Sequence, residues 1–185
     1  MLTLVTGGAR SGKSAFAERL AAAGRGPVIY LATARIGDDE MAHRIAEHRA
    51  RRPAEWATIE MPMAVGSALP MSPGAVGTVL LEDLTLLLAN ILEGLIRTTE
   101  AASKVADAFD QTVALELDKL WEAQVRGGWD LIVVTNEVGW GIVPMEARTR
   151  LFRDTLGRAN QATAARADTV YLVVAGVALR LKPSA

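Results

Sequence analysis

Two hydrophobic patterns alternate along the chain: short unbroken aliphatic runs, and longer stretches with apolar residues spaced by three and four. The short runs are Leu2–Thr6, Val28–Ala32, Val79–Glu82, Leu131–Thr135 and Val170–Ala175. They are continuously apolar, the pattern of parallel strands covered on both faces. Between them the spacing predicts helices over Lys13–Ala23, Asp38–Arg52, Leu84–Ile96, Ala101–Val125 and Met145–Ala165. Ala57–Glu60 reads as a further short strand, and Ala178–Leu181 as an edge strand after the turn residue Gly176. Strand–helix alternation of this kind predicts an α/β fold, a mostly parallel doubly wound sheet with helices on both faces. No repeat, low-complexity tract or linker divides residues 1–185, so one domain is expected. Met61–Gly77, with Pro62, Pro70, Pro73 and Gly74, reads as a surface excursion.

Composition narrows the chemistry. The formal net charge of −1 provides no global field to recruit nucleic acid or an anionic membrane. Absence of cysteine excludes disulfides, thiolate metal sites and a thiol nucleophile, and histidine chemistry has two candidates, His43 and His48. The N-terminus enters a strand-like run with no basic leader, and the longest apolar stretch, Leu84 to Ile96, is interrupted by Asn90 and Glu93 and is too short for a bilayer. A cytoplasmic protein without a membrane span is expected.

Between the first strand and the first helix stands Gly7-Gly8-Ala9-Arg10-Ser11-Gly12-Lys13-Ser14, which fits G-x-x-x-x-G-K-[ST] in the context the motif requires. Small residues let backbone N–H groups curl around phosphate, and the helix N-terminus adds partial positive charge. Lys13 is placed to reach the β- and γ-phosphates, and Ser14 to ligate Mg²⁺. The expected architecture is therefore a single P-loop NTPase-like domain. A glycine-rich turn that binds nothing is the bland alternative, and the lysine, hydroxyl and flanking elements together argue against it. Such a loop needs an acid at a nearby strand end. Glu82 is read as a metal ligand, directly or through water, and Asp83 as the cap of the helix starting near Leu84.

The second helix opens with acids and ends with bases, which suits its dipole. Met41, Ile45 and His48 share one stripe, placing His48 at the end of the packed face beside Arg44, Arg49, Arg51 and Arg52. A polyanion site such as a second triphosphate explains that arginine density. On spacing alone, a solvated helix terminus with a satisfied histidine is the simpler reading. His43 falls off the stripe, as a surface residue.

Several blocks resemble adenosylcobinamide kinase/adenosylcobinamide-phosphate guanylyltransferase, the bifunctional family of cobalamin nucleotide-loop assembly. Val5–Ser14 looks like its phosphate loop. Asp38–Met41, Arg44-Ile45, His48-Arg49, Arg52-Pro53 and Trp56 look like its guanylylation segment, and Leu80-Leu81-Glu82 with Thr85 and Asn90 like its acidic strand end. Most diagnostic is Val134–Pro144, containing Asn136-Glu137 at a strand's carboxyl edge, followed by Arg150, Phe152–Asp154, Gly157-Arg158 and Asn160-Gln161. Glu47 stands where some relatives carry a second histidine, leaving His48 as the residue aligned with the pattern.

The resemblance implies two reactions: phosphorylation of adenosylcobinamide by ATP or GTP, with Mg²⁺, and transfer of GMP from GTP to the resulting phosphate, releasing pyrophosphate. It implies that His48 is the guanylyl-accepting nucleophile and that Lys13 serves catalysis. It also implies that Ala32, Thr33, Ala34, Arg49, Ala50, Arg51, Arg52, Glu60 and Glu82 join Gly7–Ser14 in nucleotide binding. A homo-oligomer, a trimer as in the family, is expected. Leu84, Leu86, Leu87, Leu88, Ile91, Leu92, Leu95 and Ile96 exceed what one helix face buries, although a central core helix explains them equally well. Two rival classes remain by motif alone: another P-loop small-molecule kinase without nucleotidyl transfer, and a non-catalytic nucleotide-dependent switch.

Overall fold

Seven strands form one sheet in the order β3-β2-β4-β5-β1-β6-β7. They are β1 (Leu2–Gly7), β2 (Val28–Ala32), β3 (Ala57–Glu60), β4 (Thr78–Glu82), β5 (Asp130–Val134), β6 (Thr169–Val174) and β7 (Val177–Lys182). All neighbours pair in parallel except β6 and β7. Five α-helices accompany them: α1 (Lys13–Ala22), α2 (Asp39–Arg51), α3 (Leu84–Thr98), α4 (Ala102–Gly127) and α5 (Ala147–Arg166). The computed structural model describes residues 1–35, 37, 39–69, 74–98 and 102–183; the side chains of Glu40, Met41, Arg44, Glu47, Arg51, Ala102 and Ser103 fall outside that description.

The unbroken apolar runs serve two cores because successive strand residues point to opposite faces. Leu2, Leu4, Ile29, Leu31, Val79, Leu81, Leu131 and Val133 pack with α3, α4 and α5. Val5, Val28, Tyr30, Leu80, Ile132, Val134 and Val173 pack with Ala17 and Ala21 of α1. Both faces are thus dry, and the carboxyl ends of the parallel strands open together along one edge, where ligands bind in sheets of this kind.

Two expectations are corrected and a third is narrowed. Met61–Gly77 is not simply a surface excursion: Val65 and Leu69 are buried, in and beside a 3-10 turn at Val65–Ala68. The Val65 N–H donates to Glu116 Oε1 of α4 at 2.5 Å, and a Cβ on Gly66 would stand 2.7 Å from the Lys119 carbonyl carbon. The proline and glycine punctuation marked the turns but hid this apolar pair; Pro70–Pro73 lie outside the described residues. Secondly, of the two readings left open for α3, the central helix accounts for most of its apolar residues. Leu84, Leu87, Leu88, Ile91 and Leu92 are buried and Leu95 packs against the same core, while Leu86 is half-buried on the cleft and Ile96 is exposed. Thirdly, the stripe on α2 is not a core face. Ile45 and His48 are half-buried and line an open cleft, while Met41 lies outside the described side chains.

Candidate active site

The exits of β1, β2, β3, β4 and β5 converge on one cleft of about 1110 Å³. From β1 the chain turns directly into the phosphate loop. Gly7 is required by close approach, since a Cβ there would lie 2.4 Å from the Val173 carbonyl oxygen. Gly12, at φ 94°, makes the left-handed turn into α1 and brings no side chain to cap the helix. The first-turn N–H groups of α1 therefore keep the polarity that suits phosphate. The loop is braced from behind by the β6–β7 turn, where the Gly176 N–H donates to the Ser11 carbonyl at 2.8 Å. Lys13 is buried and its ammonium donates to the Gly8 carbonyl at 3.0 Å, folded over the loop it would serve.

Beneath the loop, Ser14 Oγ donates to Glu82 Oε1 at 2.5 Å. Glu82 Oε2 is buried and has no hydrogen-bond partner among the described residues. Burial, and then the neighbouring Asp83 carboxylate, push the Glu82 carboxyl up to about 8 against the opposing Ser14 hydrogen bond. Burial likewise raises Asp83, opposed first by the Leu86 N–H. Asp83 caps α3, accepting the Leu86 N–H at 2.7 Å. A buried, orphaned carboxylate oxygen beside a loop hydroxyl suits a nucleotide-associated divalent cation. Among the described residues no three His, Cys, Asp or Glu side chains gather elsewhere as a metal cage, so phosphate and water would complete such a shell.

The opposite wall comes from α2 and β3. His48, Arg49, Arg52 and Glu60 line the same cleft as Lys13, Ser14 and Glu82. Arg49 pairs with Glu60. The Arg52 guanidinium lies 3.4 Å from the centroid of the buried Tyr30 ring and donates to Thr58 Oγ1 at 3.3 Å. Burial, followed by the Glu82 charge, raises the Tyr30 phenol, so it stays protonated. His43 is exposed and is not among the residues lining the cleft.

At the β5 exit, a polar network fixes Asn136 and Glu137. Asn136 Nδ2 donates to Asp83 Oδ2 at 3.2 Å and to Thr85 Oγ1 at 2.9 Å. The Glu137 N–H donates to the Gly7 carbonyl at 3.1 Å, and Thr6 Oγ1 donates to Glu137 Oε1 at 3.2 Å. Asn160 reaches in from α5, donating to the Asn136 carbonyl at 3.1 Å and accepting the Thr135 hydroxyl at 2.7 Å. This network ties the phosphate loop, the acidic strand end and the β5 exit into one unit.

Most of the residues expected to bind nucleotide fall on the cleft: Ala9, Arg10, Ser11, Gly12, Lys13, Ser14, Ala32, Ala34, Arg49, Arg52, Glu60 and Glu82 all line it. Thr33 does not. It is fully buried, its hydroxyl donating to the Asp83 carbonyl and accepting the Asp83 N–H, so it shapes the acidic corner from behind. Ala50 is exposed and off the cleft wall, because it stands two positions beyond His48 on α2, where a helix turns a side chain away. Gly7 and Gly8 shape the loop without appearing on that wall, and the Arg51 side chain lies outside the described residues. Tyr30, Arg35, Pro62 and Thr85 line the cleft without having been singled out as binding residues. Arg35, Pro62 and Thr85 share a signal, position within three residues after a strand's carboxyl end, whereas Tyr30 lies in the middle of β2.

Fold and loop together define a P-loop nucleotide-binding protein of the α/β class. The same fold occurs in a prototypical ATPase of the type III secretion system of pathogenic bacteria, with TM-score 0.60 and 13% identity, covering 97% of this chain and 56% of that one. Residues 3–181 match the family described as cobinamide kinase / cobinamide phosphate guanyltransferase, and the chain belongs to that family. It is 42% identical over 183 residues to the bifunctional adenosylcobalamin biosynthesis protein CobU of Salmonella typhimurium, covering 98% of this chain and all of that protein. CobU of Escherichia coli is 41% identical, again over 98% of this chain and the whole of that protein. The corresponding CobP of Pseudomonas aeruginosa is 42% identical over 98% of both chains.

Proposed function

We propose that this chain catalyses both reactions of its family. It phosphorylates the aminopropanol hydroxyl of adenosylcobinamide with ATP or GTP, then transfers GMP from GTP to that phosphate, giving adenosylcobinamide-GDP and pyrophosphate. The observation that carries the reading is the single cleft in which the phosphate loop faces His48, Arg49 and Arg52.

In the kinase step, the loop N–H groups and Lys13 hold the β- and γ-phosphates and neutralise charge as the γ-phosphoryl moves. Ser14 and Glu82 would hold the divalent ion, Mg²⁺, which would supply charge neutralisation on the phosphate oxygens. In the transferase step, a His48 ring nitrogen attacks the α-phosphorus of GTP. A P–N bond forms as the P–O bond to the β-phosphate breaks, and pyrophosphate leaves with that electron pair. Arg49 and Arg52 stabilise the charge on the leaving group. An oxygen of the cobinamide phosphate then displaces the imidazole, returning the electron pair to nitrogen.

The test is incubation with GTP, Mg²⁺ and adenosylcobinamide, with products resolved by mass. Adenosylcobinamide-GDP and pyrophosphate are expected. A phosphorylated product that never acquires GMP would reduce the chain to a kinase, and nucleotide binding without any product would make it a switch.

We also propose a homotrimer. Support comes not from α3 but from the exposed face of the edge strand β7, where Val177, Leu179 and Leu181 lie open to solvent beside Val174 of β6. Light scattering should return three times the 19.7 kDa chain mass; a monomer at micromolar concentration would refute the assembly.

A further inference from the structure

Glu18 lies on α1, one helical turn beyond Ser14, and residues four apart share a helix face. Ser14 faces Glu82 from that helix, and Glu18 faces His48: its Oε1 stands 3.9 Å from His48 Nδ1. Both side chains are largely enclosed, Glu18 at 14% and His48 at 27% exposure. The Glu18 carboxylate also acts on Tyr30 and Glu82, raising both, which places it inside the electrostatic field of the cleft.

We propose that Glu18 is the positioning residue for His48: its carboxylate accepts a hydrogen bond from Nδ1–H, keeps the proton there, and so presents Nε2 to the α-phosphorus. The inference rests on His48 being the guanylyl acceptor. The two ring nitrogens of imidazole have separate fates, and which one carries the proton is set by the partner of the other. A carboxylate beside Nδ1 favours the tautomer protonated there, leaving the Nε2 lone pair as the nucleophile. When the P–N bond forms and pyrophosphate departs, the imidazole gains positive charge, and Glu18 balances it without itself joining the transfer. The present separation exceeds a hydrogen bond, and contacts of this kind shorten when substrate closes a site. A carboxylate on α1 reaches the ring from a different helix than the one that carries His48. Because α1 begins at Lys13, one rigid helix then carries a phosphate ligand at one end and the histidine's partner one turn further on.

The experiment compares Glu18→Ala and Glu18→Gln with the unaltered chain and with His48→Ala and His43→Ala. Covalent labelling from α-labelled GTP is followed in single turnovers without acceptor. In Glu18→Ala the maximal labelling rate should fall by at least about tenfold, while half-saturating GTP changes by less than about twofold. Glu18→Gln keeps an acceptor oxygen but no charge and should recover only part of the rate, whereas a packing role, which the isosteric glutamine fills, would recover it fully. With only two histidines in the chain, ¹⁵N spectra assign His48 through its variant. They should show Nδ1 protonated in the unaltered chain and in Glu18→Gln, and that bias lost in Glu18→Ala. Labelling of Glu18→Ala at the unaltered maximal rate, or an unchanged His48 spectrum, overturns the proposal. If label is abolished by His48→Ala yet indifferent to Glu18, only the role of Glu18 falls; if label survives His48→Ala, the nucleophile assignment falls and the role of Glu18 with it.

Discussion

α1 and α2 face one another across the same cleft, yet the chain secures them differently. α1 grows out of the interior strand β1 through the phosphate loop and buries Lys13, Ala17 and Ala21. None of the described side chains of α2 is fully buried, and its wall is held by the Arg49–Glu60 ion pair and by Arg52 stacked on Tyr30. Arg49 and Glu60 are each more than half exposed, and ion pairs at such exposure contribute little. The cleft thus pairs a phosphate-loop wall fixed by the core with a His48-bearing wall held mainly by polar contacts. Phosphoryl transfer depends on fixed charges around the phosphates, which the first wall supplies. In the proposed mechanism His48 meets first GTP and then a corrinoid phosphate, a task suited to an element that moves at low energetic cost.

The largest effect that would break this contrast is on the fixed wall. Lys13→Ala should lower phosphoryl transfer by at least about a hundredfold with the fold intact, as loss of one preorganised charge does; near-normal turnover in a folded variant would remove the loop from catalysis. Glu82→Gln should also impair phosphoryl transfer, and it has a signature in stability. The folded-state carboxyl is raised from 4.5 to about 8, so between those values the folded chain holds a proton that the unfolded chain releases. That contribution is full below pH 4.5 and is lost as pH rises through about 8. Glutamine does not ionise, so in the absence of Mg²⁺ the variant should melt above the unaltered chain at pH 8, and the gap should close towards pH 5. A pH-independent gap would contradict the buried charge.

A smaller effect tests how the two walls are joined. Asn90 of α3 is buried and donates to the Thr33 carbonyl at 2.8 Å and to the Pro62 carbonyl at 3.0 Å, tying the β2 and β3 exits together. Asn90→Ala should cost about 1–3 kcal/mol in denaturant unfolding, because buried carbonyls lose their donor. An unchanged midpoint would show that the exits are held by other means. The mildest test reads the contrast itself: amide exchange in α2 should be faster than in α1, and equal protection would deny it.

The fold was largely legible because both faces of the sheet are buried, so five strands announce themselves as unbroken aliphatic runs. The phosphate loop was legible because its chemistry demands particular residues at fixed spacing. Less visible was anything that depends on which side chain a strand exit turns inward. Thr33 sits in the expected segment, yet its hydroxyl serves the Asp83 backbone. Tyr30 reads as a core residue and is one, while its ring face also receives Arg52. The approach of Glu18 to His48 arises from two separate helices, which no local period encodes.

The central claim is that the phosphate loop and His48 belong to one working site, with His48 as the residue that carries GMP. The direct measurement is labelling with α-labelled GTP in the absence of acceptor, followed by mass analysis. The account predicts an acid-labile, alkali-stable adduct on the chain that disappears in His48→Ala, persists in His43→Ala, and is discharged to adenosylcobinamide-GDP when adenosylcobinamide phosphate is added. Label retained in His48→Ala, or GMP transfer at the unaltered rate without His48, would contradict it.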